Sequence, residues 1–345
     1  MMSNRRHFLK NLGLGMLGMG GLGTAKMQDS SSRDEVKFRI AHVTDQHVTT
    51  RRKGHLGYEK CIQSINELSN KPDFVLMGGD MAFDGLYTDL NVFEESIEWY
   101  KKLSDQLDMP YYHCIGNHDV LGLSSRRKVA ADHPEIGKAY IMNRLGMDRD
   151  YYSFNHKGWH FVVLNSIFEK QTESGPAYET RIGEEQLEWL RYDLGAHSDM
   201  PTIAVSHIAA FCHKGQINQD FELPAMSGLV LQDNKQLREI FERHSVKALL
   251  QGHTHVSEDF RFNNIWYITS QSASAAWWGG NWLGFNPGYT ILELGDNDIL
   301  NWYAQEYDWE HQLEPEDTLE KERIEELESF RRTQKELYLE ETNKE

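Results

Sequence analysis

Cysteine is scarce. Cys61, Cys114 and Cys212 are dispersed along 345 residues and odd in number, which excludes a disulfide framework and reads as buried free thiols. Beyond residue 22 no apolar stretch approaches the roughly 20 residues of a membrane-spanning helix, so no span is expected. Basic charge is also short: 36 Lys and Arg stand against 53 Asp and Glu, for a net charge of −17. A surface of that sign works against long nucleic acids as partners. No internal repeat is present, and biased composition is confined to the two ends. With 39% apolar residues, the roughly 320 residues after an amino-terminal leader can bury one large core.

Against this background five short motifs stand out: Asp45-Gln46-His47, Gly79-Asp80, Gly116-Asn117-His118-Asp119, His207 and Gly252-His253-Thr254-His255. Each follows a short apolar run, at residues 38–43, 74–77, 111–115, 203–205 and 248–250. Short apolar runs closed by Gly or Asp and alternating with helical patterns are the mark of βαβ units. The class is α/β, and the motifs should converge at the carboxyl ends of strands, along one edge of a sheet. Cys114 sits within such a run, where a thiol is inert. A hairpin is expected over 150–165 and a helix over 184–194, where Leu187, Leu190 and Leu194 share a face.

The residue types name the chemistry. Carboxylate, imidazole and amide ligands hold Mn²⁺, Fe²⁺ or Zn²⁺, and neither thiolates nor a run of carbonyls shifts the choice toward iron–sulfur or Ca²⁺ sites. In order and spacing the motifs resemble the calcineurin-like metallophosphoesterases, whose pattern runs D-x-H, G-D, G-N-H-[DE], H and G-H-x-H, over roughly residues 37–300. The resemblance implies a four-layer α/β/β/α sandwich with a dinuclear metal site at the strand ends. It implies that Asp45, His47 and His255 hold one metal, that Asn117, His207 and His253 hold the other, and that Asp80 bridges them. It also implies hydrolysis of a small phosphomonoester or phosphodiester by a metal-bridging hydroxide, with His118 as general acid. Many relatives carry the carboxylate that orients this imidazole three residues after the bridging Asp. This chain has Phe83 there, and Asp84, one residue on, is the expected partner. Phe83 also departs from purple acid phosphatases, which place a Tyr ligand to ferric iron at that point and Gly where His47 stands. A divalent pair without a phenolate colour is the expectation.

Specificity should lie in loops that follow the metal-bearing strands. Arg51-Arg52-Lys53 and Arg126-Arg127-Lys128 offer guanidinium groups suited to phosphate, so Arg51, Arg52, Arg126 and Arg127 are candidate substrate contacts. The aromatic, small-residue segment 270–289 adds Trp277 and Trp278, which either stack on an organic moiety of the substrate or seal the sheet edge.

The ends of the chain carry separate signals. Arg5-Arg6-His7-Phe8-Leu9-Lys10, a Gly-rich apolar stretch from Leu12 to Leu22 and small residues at Gly23-Thr24-Ala25 resemble the twin-arginine export pattern. Residues 1–25 are therefore expected to be a signal peptide read by the twin-arginine export machinery, with a periplasmic or secreted destination. Cleavage after Ala25 removes Arg5, Arg6 and Lys10 and no acid, taking the charge from −17 to −20. The phosphoesterase domain is expected over 37–310. Residues 311–345, dense in Glu, Lys and Arg with a sparse apolar stripe, read as a charged helix.

Overall fold

A computed structural model describes residues 35–214, 228–318 and 321–322. The expected signal peptide, and most of the expected charged helix, lie outside these residues. The apolar runs of the sequence become the strands of two packed sheets. The first has the order β13-β12-β1-β2-β3, with β1 at Phe38–Val43, β2 at Phe74–Met77, β3 at Tyr111–His113, β12 at Gly288–Leu294 and β13 at Ile299–Glu306. The second runs β10-β11-β9-β8-β5-β4, from β4 at Tyr152–His156, β5 at Trp159–Leu164, β8 at Thr202–Ser206, β9 at Val246–Gln251, β10 at Glu258–Phe262 and β11 at Ile265–Thr269. β6 (Ile167–Thr172) and β7 (Gly175–Thr180) form a separate two-stranded ribbon.

Strand alternation sorts side chains between the layers. In β1, Phe38 and Ile40 face the second sheet, where they meet Trp159, Phe161 and Val163 of β5, Ile203 of β8 and Leu250 of β9. Ala41 and Val43 turn the other way, into a second apolar cluster that contains the helices. The helices present one stripe each: Tyr58, Cys61, Ile62 and Ile65 in α1 (Gly54–Asn66), and Phe93, Ile97 and Tyr100 in α2 (Leu90–Ser104). Leu187, Leu190 and Leu194 do so in α4 (Glu184–Ala196), and Leu237, Ile240 and Phe241 in α5 (Asn234–Phe241). A shorter α3 spans Ala139–Leu145. The architecture is the α/β/β/α sandwich. Cys114 belongs to the inner cluster, where burial pushes its thiol up to about 12. Among the described residues no helix is long and apolar enough to cross a membrane.

One expectation needs correcting. The motif loops do not share the edge of a single sheet: three follow β1, β2 and β3 of the first sheet, and two follow β8 and β9 of the second. The pairs β1–β2, β2–β3 and β8–β9 are parallel, so each set of loops leaves at the same end of its sheet. The two packed sheets then bring both sets together.

Candidate active site

The loops reach this place at a conformational cost. Asp45, His47, Asp80, His253 and His255 all have positive φ, between 41° and 71°, where non-glycine residues pay roughly 1–3 kcal/mol each. Such strain persists only where the surroundings over-determine it. Gly116 shows how tight the seat is: a Cβ there would lie 2.2 Å from the Asp80 amide nitrogen and 2.2 Å from its carboxylate.

Two clusters of ligand-type atoms result, Asp45–His47–His255 and Asp80–His207–His253, the atoms of each lying within 4.8 Å of one another. The decisive observation is the direction of the imidazoles. His47 Nδ1 faces the Phe83 carbonyl at 3.2 Å, His255 Nδ1 the Ala275 carbonyl at 2.5 Å and His207 Nδ1 the Gly78 carbonyl at 2.9 Å. His253 Nε2 faces the Gly228 carbonyl at 2.7 Å. A carbonyl only accepts, so each ring donates its outer N–H outward and turns a lone pair inward. The Nε2 atoms of His47 and His255 then stand 3.2 Å apart, lone pair toward lone pair, and His207 Nε2 meets Asn117 Oδ1 at 3.2 Å. Acceptors crowded against acceptors are the donor set of a cation. One oxygen of Asp80 joins the clusters, 3.6 Å from His47 Nε2 and 3.1 Å from His207 Nε2.

The electrostatics agree. Burial opposes charge on both carboxylates, yet His207 and His118 beside Asp80, and His255 beside Asp45, hold them well below the usual carboxylate range. Burial also opposes charge on His207, but Asp80 outweighs it and raises this imidazole to about 9, so a metal ion taking the inward nitrogen would displace a proton from it. The carboxylates draw positive charge to this spot.

His118 stands at the rim. Its backbone N–H donates to Asp80 Oδ1 at 2.7 Å, and its Nδ1 lies 3.1 Å from Asp84 Oδ1. Burial lowers its basicity, but Asp80 and Asp84 overcome this and leave its pKa above the ordinary imidazole value. Asp119 ties the loops from below, taking the N–H groups of Gly116, Met81 and Ala82 at 2.8, 2.8 and 3.1 Å. Burial and Asp80 push Asp119 up to about 7, whereas all three of its partners are donors. Three donors suit a carboxylate, and we assign it as ionised.

A family model described as calcineurin-like phosphoesterase matches residues 38–257. The chain belongs to that family. It is 24% identical over 252 residues to a probable cyclic nucleotide phosphodiesterase of Xenorhabdus bovienii, covering 70% of this chain and 89% of that protein. It is 24% identical to a probable glycerophosphodiester phosphodiesterase of Arcobacter nitrofigilis, covering 68% and 78%. It is 25% identical to the serine/threonine-protein phosphatase CPPED1 of Bos taurus, covering 62% and 63%. Among solved structures, a purple acid phosphatase of yellow lupin aligns at a TM-score of 0.49 with 12% identity, over 79% of this chain and 54% of that one. The family depends on a dinuclear metal centre, and the two clusters supply the side chains for one.

Around the phosphoesterase centre the sequence-derived substrate contacts separate. Trp277 lies stacked on His47, with ring centroids 3.7 Å apart, and edge-on to His118 at 4.7 Å. Trp278 is fully buried: its indole N–H donates to the His47 carbonyl at 3.0 Å, and its ring packs against Trp309. Trp278 therefore braces the loop of His47; of its two expected roles it takes the sealing one, which corrects it as a candidate substrate contact. Arg52 is corrected in the same sense, whereas Arg51 stays half exposed. Arg52 grips Asp317 at 2.8 and 2.6 Å and donates to the Trp277 carbonyl at 3.0 Å, while Arg51 pairs with Glu314 at 3.2 Å. These guanidinium groups hold the segment after β13 against the aromatic loop. Arg127 donates to the carbonyls of Ser124 and Ser174. Arg126 lies 4.3 Å over the ring of Tyr87, which is edge-on to His118.

Sequence reasoning passed over residues with no motif of their own. A cavity of about 200 Å³ at the centre is lined by Asp80, His118, His253, His255 and Trp277, by Trp282 of the same aromatic segment, and also by the overlooked Lys214 and Leu229. Tyr178 of β7 lies beside Asn117. Only their proximity in the fold reveals them. A larger hollow of about 660 Å³ beside α1 includes none of the clustered ligands. A third cluster, His160–Asp193–His197, is set aside on geometry. Its imidazoles stack 3.9 Å apart at 14°, and parallel rings cannot both point a lone pair at one ion between them. His160 instead links Asn155 at 2.6 Å to Asp193 at 2.8 Å, tying β5 to α4.

Proposed function

We propose that this protein hydrolyses a small phosphoester, monoester or diester, at a centre held by Asp45, His47, Asp80, Asn117, His207, His253 and His255. Asp45, His47 and His255 would hold one divalent ion and Asn117, His207 and His253 the other, with an oxygen of Asp80 beside a nitrogen of each cluster. The ions are Mn, Fe or Zn, the metals suited to imidazole and carboxylate together. When bound, such a pair polarises phosphoryl oxygens and acidifies a water at neutral pH. The observation that carries the reading is the inward turn of four imidazole lone pairs, each fixed by an outward N–H to a backbone carbonyl.

The remaining work falls to residues of the chain. His118, oriented by Asp84, protonates the oxygen of the departing alcohol; its raised pKa keeps a proton available near neutrality. Trp277 covers His47 and walls the cavity. A volume of about 200 Å³ falls below the roughly 300–1,000 Å³ of sites that take drug-sized ligands, which favours a small alcohol group. The net charge of −17 disfavours long nucleic acid. Relatives named as phosphodiesterases and as a phosphatase support both ester types. The string Arg5-Arg6-His7-Phe8-Leu9-Lys10 supports delivery to the periplasm or outside by the twin-arginine route.

The test is to assay purified, metal-loaded protein on an aryl phosphate and a bis-aryl phosphate, with and without chelator. Turnover of at least one ester, abolished by chelation and restored by Mn²⁺ or Zn²⁺, is the expected result. Turnover that survives complete removal of metal would overturn the reading.

A further inference from the structure

Lys214 lies seven residues after His207, in the stretch that leaves β8, and lines the same cavity as Asp80, His118, His253 and His255. Its ammonium sits 5.1 Å from the centre of the Trp282 ring, and no carboxylate lies in ion-pair contact with it among the described residues. The acid nearby in sequence contact is occupied: Glu258 accepts from the ring of the adjacent His213 at 2.8 Å and from its backbone N–H at 3.0 Å. Burial lowers the Lys214 pKa from the ordinary value, and the Asp45 carboxylate acts in the opposite direction. A partly buried cation, flanked by the apolar walls of Trp277, Trp282 and Leu229 and in ion-pair contact with no acid among the described residues, can turn its charge to a ligand in the cavity.

We propose that Lys214 sets the charge preference of the site, favouring the dianionic phosphoryl group of a monoester over the monoanionic group of a diester. Coulomb attraction scales with the charge on the ligand, so one fixed cation stabilises a dianion twice as much as a monoanion at the same distance. Apolar walls lower the local dielectric and enlarge that difference. The ammonium also brings three N–H donors, and a charge-assisted bond to a terminal phosphoryl oxygen is one that a diester, with an alkyl group there, satisfies less well. The proposal rests on the reading of this cavity as the ester site.

The test compares 4-nitrophenyl phosphate with methyl 4-nitrophenyl phosphate at pH 8, which share a leaving group and differ in phosphoryl charge. In metal-loaded Lys214→Met, kcat/KM for the monoester should fall about tenfold more than that for the diester, the size of one lost charge-assisted contact. Lys214→Arg should keep the preference, and both variants should keep wild-type metal content by elemental analysis. Equal losses on the two esters, or an Arg variant as impaired as the Met variant, would overturn the proposal. If the wild type turns over neither ester, the reading of the site fails. Lys214 is then decided by calorimetry with inorganic phosphate and the metal-loaded proteins: about tenfold weaker binding to Lys214→Met supports its role, and equal affinity removes it.

Discussion

Replacing Asp84 by Asn separates the charge behind His118 from the hydrogen bond that orients its ring. Asp84 Oδ1 lies 3.1 Å from His118 Nδ1 and accepts the Leu86 N–H at 3.0 Å. An amide oxygen can accept both bonds, so the ring keeps its direction while the negative charge is lost. Losing an orienting partner behind a functional imidazole costs about 10–100-fold, and losing the general acid itself about 10²–10⁴. With geometry retained, the lower end applies: Asp84→Asn should reduce kcat about tenfold on an alkyl phosphate. It should change little on a nitrophenyl ester, whose leaving group departs without a proton. Because the charge acts through His118, the two residues should behave as a unit. In a His118→Ala background the Asp84→Asn change should cost about twofold or less. Steady-state kinetics of the four proteins on both esters complete the cycle. A second tenfold loss from Asp84→Asn after His118 is gone would refute the reasoning and assign the Asp84 side chain to the loop it also holds through the Leu86 N–H.

Trp278→Ala should lower stability by about 3–5 kcal/mol, the cost of emptying a buried tryptophan site, whereas Trp277→Ala should chiefly raise KM; melting curves beside Michaelis kinetics read the split. Asp317→Asn should loosen the Arg52 clamp on the Trp277 carbonyl and raise KM, and unchanged kinetics with a lowered melting temperature would make the clamp purely structural. Asp73 is held below its ordinary pKa of 3.8, burial opposing and Lys157 and His156 prevailing, with its carboxylate 2.6 Å from His156 Nε2. A depressed acid stabilises the fold above its unfolded pKa and loses that contribution as pH falls through the folded value. The melting-temperature gap between wild type and Asp73→Asn should therefore be full at pH 6 and close below about pH 3.8. Arg5→Lys with Arg6→Lys should leave unprocessed precursor in the cytoplasm, visible by fractionation and blotting; normal processing would point to a different export route.

Much of the fold was legible because apolar runs of two kinds recur. β1, β2 and β9 are largely apolar stretches soon followed by Asp45, Gly78 and Gly252, β8 runs directly into His207, and α4 shows its leucine stripe directly. The ribbon of β6 and β7 was not legible, since Glu169, Lys170, Gln171 and Thr172 form no apolar face. Nor was the division of the motif loops between two sheets, which depends on sheet packing and not on any local signal. The ligand-type residues could be found because their chemistry is rare at strand ends. The split between Trp277 and Trp278 could not, because neighbouring tryptophans of one loop differ only in φ/ψ and packing: one roofs His47, the other fills the space beside Gly54 and Gly57. The arginine triplet misled for a related reason. Its partners Glu314 and Asp317 lie more than 260 residues away in the chain, and charge alone does not say which anion it meets.

The most direct test of the central claim is elemental analysis of purified wild type and Asp80→Asn. An oxygen of Asp80 stands beside a ligand nitrogen of each cluster, so the wild type should carry two divalent ions per chain, and the variant should lose occupancy and ester hydrolysis together. Two ions retained in Asp80→Asn, or a wild type that binds none when reconstituted, would contradict the account.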